Sequence, residues 1–159
     1  MLLFTVALLV IFTGIVVSQL VIKNYSTTLL SGAIARGENI AHKLALDVTD
    51  KILINDLVAV QKILDDQMQT ESSVSYLFII NNQKVLVHTF SQGVPVNLIA
   101  YPHKDNNKVT KLISETGERF IDIKWPIFDE KAGILRLGIS EKPYRLKVKQ
   151  LSIKMTLIT

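Results

Sequence analysis

The sequence predicts an α+β protein in which an antiparallel five-stranded sheet packs on a long N-terminal helix, with a transmembrane helix ahead of it. Three observations carry that prediction. Met1 to Ile22 is free of charge, although the 159-residue chain holds 18 basic and 14 acidic residues. From Asn24 to about Ile54 apolar and small residues recur in steps of four and three with no proline between them. Beyond residue 72 the apolar period falls to two, the spacing of strands.

The uncharged segment comes first. A helix of 22 residues is about 33 Å long, enough to cross a hydrocarbon layer of about 30 Å. A cleaved signal peptide is the competing reading, but its apolar region is shorter, about 7 to 15 residues, and follows basic residues that are absent here. The nearest small-residue cleavage pattern, Ala33-Ile34-Ala35, lies past the apolar core and inside a helical pattern. Residues 1–22 are therefore expected to be an uncleaved anchor. Charge does not choose the side of the membrane: Lys23 follows the segment and nothing basic precedes it, and long domains translocate largely regardless of charge.

Residues 23–54 read as a long stalk helix. Leu30, Ile34, Gly37, Ala41, Leu44 and Val48 form a heptad stripe, available for a partner helix or for the domain's own sheet. Asn55 is expected to cap a second helix over 55–70, whose buried side is Leu57, Val60, Leu64 and Met68. Strands are expected near 74–80, 84–89, 109–114, 119–127 and 133–140, with turns at Asn81-Asn82-Gln83, Thr116-Gly117-Glu118 and around Glu130-Lys131-Ala132. Tight connections make the sheet antiparallel, and helices followed by strands make the class α+β.

Alternation assigns the faces. Ile121, Ile123, Trp125 and Ile127 share one side with Leu135, Leu137 and Ile139; Phe120, Asp122, Lys124 and Pro126 lie opposite, as do Ile134, Arg136, Gly138 and Ser140. The strand at 74–80 is apolar on both faces, so something must cover its second side. Residues 90–108, apolar and pinned by Pro95 and Pro102, are expected to do so. Pro143 opens a last helical stretch, and residues 149–159 are expected to begin a second membrane helix.

The search for catalytic chemistry is negative. The chain has no cysteine, hence no disulfide, thiolate metal site or covalent haem. It has no Gly-rich phosphate loop and no nucleophile elbow, and His42, His88 and His103 are scattered. No enzyme activity, metal or cofactor is expected. The basic residues Lys142, Arg145, Lys147, Lys149 and Lys154 read as a solvated face near a membrane, not as a nucleic-acid surface.

The polar residues of interest share the covered face. Arg136 and Lys124 on neighbouring strands offer a fork and a point charge to a ligand carboxylate or phosphate, unless Asp122 neutralises one of them as a solvated cross-strand pair. His88 donates either to a ligand or to loop backbone. Tyr76, and Tyr101 in the covering segment, are candidate ligand contacts and equally candidate core residues.

The order of membrane helix, long helix, short helix, "VSYLFIINNQKVLVHTF", "GVPVNL", "ERFIDIKWPIF" and "GILRLGISEKP" resembles the extracytoplasmic single Cache (PAS-like) sensor domains of bacterial transmembrane histidine kinases, domains also found on chemoreceptors and diguanylate cyclases. The resemblance covers nearly the whole chain, and no ligand motif transfers residue by residue. It implies a sensor domain over residues 23–148 outside the cytoplasm, anchored in the bacterial inner membrane. It also implies a small-molecule pocket between sheet and covering loop, and a homodimer that passes movement to a cytoplasmic output. The expected function is small-molecule sensing for a two-component histidine kinase, an anion being the ligand that Arg136 and Lys124 suggest. A chemoreceptor or cyclase sensor, or a dimerisation module without ligand, is the alternative.

Overall fold

The computed structural model describes residues 2–100 and 108–158. The elements run α1 (Leu2–Leu53), α2 (Leu57–Thr70), β1 (Val74–Asn81), β2 (Lys84–His88), α3 (Val96–Ala100), β3 (Val109–Ile113), β4 (Arg119–Ile127), β5 (Gly133–Ser140) and α4 (Lys142–Ile158). They divide into two compact units. One comprises Ala33–Ser140; the other comprises the chain up to Gly32 together with the chain from Glu141 onward.

The second of these units holds the uncharged stretch of α1. Phe4, Leu9 and Phe12 are more than 60% exposed, and the apolar window that satisfies the length and composition of a membrane crossing has none of its residues buried. Along α4, Tyr144, Val148, Leu151 and Met155 are half-buried at helical spacing, whereas Arg145, Lys147, Lys149 and Lys154 are exposed.

In the unit Ala33–Ser140 the five strands form one antiparallel sheet in the order β2-β1-β5-β4-β3. The strands lie within a residue or two of the stretches that the period-two pattern marks. β4 and β5 pair along their whole length, from Phe120 opposite Ser140 to Ile127 opposite Gly133. β1 lies between β2 and β5, and β5 occupies the centre of the sheet.

The helical layer explains the heptad stripe. Ala41, Leu44 and Val48 are essentially inaccessible, as are Ile121, Ile123, Leu137 and Ile139. From Gly37 to Val48 the stripe lies on the domain's own sheet. Gly37 is the closest approach: a Cβ there would stand 2.5 Å from Ile123 Cδ1 and 2.6 Å from Ile139 Cδ1. Only a residue without a side chain lets the helix lie this near the sheet. α2 adds Val60 and Leu64, both fully buried, and packs on β1 and β2.

One local expectation is corrected. Asn55 does not cap α2. Its φ is +60°, a left-handed conformation that asparagine tolerates and that ends α1, and its N–H donates to Ile52 O. The cap is Asp56, whose carboxylate accepts from Ala59 N at 3.1 Å. The β4–β5 turn falls where the sequence marks one, but its backbone is unusual. Phe128, Asp129 and Glu130 all have positive φ, so three consecutive residues without a glycine form a left-handed turn. It is closed by Lys131 N donating to Phe128 O at 3.0 Å and Ala132 N donating to Ile127 O at 3.2 Å.

The second face of β1 is covered. Leu77 and Ile79 on the helix side are fully buried, and so is Phe78 on the other side. The segment after β2 crosses that other face, placing Phe90 on it and then the short helix α3, whose first turn bonds back to Pro95 O.

Candidate functional site

Strand pairing assembles the site. Phe78 lies opposite Arg136 on one side and His88 on the other, Lys124 lies opposite Arg136, and Asp122 lies opposite Gly138. Side chains on one pleat point the same way, so these residues share the face away from α1 and α2. Asp122 is diagonal to Arg136, within reach of a long side chain.

At the centre is a closed polar network. Arg136 donates through Nε to Asp122 Oδ2 at 2.7 Å, and a second guanidinium nitrogen lies 2.6 Å from the same oxygen. Tyr76 donates its hydroxyl proton to Asp122 Oδ1 at 2.8 Å. A third guanidinium nitrogen reaches Leu98 O of α3 at 3.4 Å, tying the covering helix to the sheet. Asp122 is 0% and Arg136 5% exposed, so the pair is buried and not the solvated cross-strand pair weighed from sequence.

Aromatic rings seal it. Phe90 stacks on Tyr76 with centroids 5.2 Å apart, Phe120 tilts against the same ring at 5.9 Å, and the Arg136 guanidinium lies 5.3 Å over the Phe78 ring. Tyr76 can lie flat here because position 138 is glycine; a Cβ at that position would overlap Tyr76 Cε1 and Cζ.

Burial raises the pKa of Tyr76 far above that of an ordinary phenol. The negative charge of Asp122 and the hydrogen bond to it act in the same direction, and Arg136 partly opposes them. Because the folded chain holds this proton more tightly than the unfolded one, the stabilisation is complete below the unfolded value of about 10 and declines as pH rises past it, by about 1.4 kcal/mol per pH unit. Unfolding free energy measured against pH should therefore fall more steeply above pH 10 in the native chain than in Tyr76→Phe. Parallel slopes would mean that the phenol is open to water.

Beside the network, toward the β1–β2 and β4–β5 turns, the same face opens into a recess of about 670 Å³. Among the described residues, Ile80 and Ile134 of the sheet and Ile99 of α3 are its apolar lining, and Asn81, Asn82 and Gln83 at the β1–β2 turn and Glu130 and Gly133 at the β4–β5 turn also line it. The volume is in the range of small-molecule sites, about 300–1,000 Å³. Glu130 Oε1 pairs with Lys124 Nζ at 3.1 Å, both side chains being partly exposed.

Of the sequence candidates, Tyr76 and Arg136 meet through Asp122, Lys124 turns to Glu130, and His88 lies 6.4 Å from the Phe90 ring with its carbonyl held by Gln61 Nε2 at 3.0 Å. The Nδ1 atom of His88 is buried with no hydrogen-bond partner among the described residues. Tyr101 lies outside the described residues. The sequence places residues 90–108, Phe90 and Leu98 among them, over this face and Glu130 in a turn, but gives none of the three a particular partner, because each is far in sequence from the residue it meets. Among the described residues no group of His, Asp and Glu is placed to hold a metal.

No protein-family model matches the chain, and no curated protein matches it.

Proposed function

We propose that this chain is a membrane-anchored sensory domain of the PAS-like, single Cache type, which binds a small molecule outside the cytoplasm of a bacterium and passes the occupancy of its site to a two-component histidine kinase. The observation that carries the reading is the roofed sheet face: a buried, fully engaged polar network stands beside an open recess of ligand size, and α3 touches both through Leu98 and Ile99. The antiparallel sheet on a long helix agrees with the architecture that the resemblance implies, and the uncharged stretch of α1 agrees with an anchor.

The mechanism is linkage. A ligand that favours one arrangement of the covering segment and sheet shifts the equilibrium only by its differential affinity for the two arrangements. About 1–3 kcal/mol of coupling is enough for signalling, within reach of a few hydrogen bonds made in one arrangement and not the other. In a homodimer the same shift would be delivered by both copies.

The chain, purified in detergent micelles, should be screened by thermal unfolding against carboxylates, amino acids, amines, sugars and nucleotides. At least one class should raise the melting temperature by about 5–10 °C at a hundredfold excess over its dissociation constant. A flat response in every class would contradict the sensory reading. It would favour a dimerisation module without ligand, a reading that the engagement of Arg136 by Asp122 and Leu98 also supports.

A further inference from the structure

Among the described residues two ion pairs stand on the covered face, and they differ in how readily they open. Asp122 and Arg136 are buried, bonded through several atoms and joined by Tyr76. Separating them would leave an uncompensated charge in a dry site, which is strongly unfavourable. Lys124 and Glu130 make a single contact of 3.1 Å, with side chains 30% and 54% exposed. Such a pair contributes little to stability, so exchanging its partners costs little.

The exchangeable pair lies at the recess. Glu130 is part of its lining, and Lys124 reaches Glu130 from β4. Among the described residues the rest of the lining is three isoleucines, three carboxamide side chains and Gly133, with no other charge. An anion entering here gains Lys124 but leaves Glu130 beside it unpaired; a cation does the reverse. A ligand carrying both charges satisfies both partners, and an aliphatic body on it meets Ile80, Ile99 and Ile134. Backbone geometry gives the rim a defined shape: five of the six described non-glycine residues with positive φ, namely Asn82, Gln83, Phe128, Asp129 and Glu130, belong to the two turns at this end of the sheet.

We infer that the recess binds a small zwitterion with a branched aliphatic body, of the kind an aliphatic α-amino acid presents, with its carboxylate on Lys124 and its ammonium on Glu130. The inference rests on the sensory reading and narrows it, replacing a simple anion at Arg136 by a zwitterion at the neighbouring pair.

The test compares three probes on the full chain in micelles by calorimetry: L-leucine, 4-methylvalerate, which lacks the amine, and isopentylamine, which lacks the carboxylate. L-Leucine should bind at least about tenfold more tightly than either of the others, and Lys124→Gln and Glu130→Gln should each weaken it by at least about tenfold while leaving the melting temperature of the free chain nearly unchanged. Binding of 4-methylvalerate as tight as that of leucine would overturn the inference, as would leucine binding insensitive to both substitutions or no binding of any probe. In each of those cases a stabilising compound of another class in the wider screen would leave the sensory reading standing.

Discussion

Asp122→Ala should destabilise the domain by about 3–5 kcal/mol, the effect expected when one partner of a buried ion pair is removed. The loss is large because two buried groups depend on this carboxylate. Among the described residues Arg136 keeps the long contact to Leu98 O and its place over the Phe78 ring, Tyr76 loses its acceptor, and neither gains access to water, since Arg136 is 5% exposed and Tyr76 5%. The triple replacement Tyr76→Phe, Asp122→Leu and Arg136→Met should recover most of the loss, because an apolar set of similar volume removes the desolvation penalty along with the attraction. Denaturant unfolding followed by the fluorescence of Trp125, the single tryptophan, reads both variants. A cost below about 1 kcal/mol for Asp122→Ala would place the pair in water, as surface pairs behave.

Gly138→Ala should cost about 2–4 kcal/mol, more than a glycine-to-alanine change in a strand would suggest. The added methyl would occupy the place of the Tyr76 ring. That ring cannot slide freely, because Phe90 stacks on one side and the hydroxyl is bonded to Asp122. Relief of the overlap therefore breaks the Tyr76–Asp122 bond. Tyr76→Ala removes the obstacle, so the double variant Gly138→Ala with Tyr76→Ala should be clearly less destabilised than the sum of the two singles. Additive costs would show that the two positions do not interact.

These two predictions concern residues that the sequence places on one face but does not join. The alternation along 119–127 and 133–140 is enough to put Asp122, Lys124 and Arg136 on the same side, and period two is a local property that needs no knowledge of neighbours. Which cation Asp122 binds is a matter of register, and whether the pair is wet or dry depends on Phe90 and α3, which arrive from elsewhere in the chain. The glycine at 138 is legible only as an interruption of the pattern until β1 is laid beside β5 and Tyr76 is found across from it.

The helical layer shows the same division. The stripe is legible as a stripe, but the destination of its part from Gly37 to Val48 needs the sheet: the fit of Gly37 against Ile123 and Ile139 shows it. The turn around Glu130 is legible, but its left-handed backbone over Phe128, Asp129 and Glu130 is not, since such backbone is ordinarily signalled by glycine or asparagine and none occurs at those positions. Asn55 does carry that signal, but asparagine serves equally as a cap and as a left-handed helix end, so the sequence alone does not tell it from the cap one residue later.

The proton of Tyr76 reports most directly whether the helix-free face of the sheet is roofed and dry. The phenolate absorbance of the native chain, after subtraction of that of Tyr76→Phe, isolates this one hydroxyl during an alkaline titration. The account predicts no ionisation of Tyr76 while the chain remains folded, with its signal appearing together with unfolding well above pH 10. A midpoint near 10 in a chain that is still folded would show water at Asp122 and contradict it.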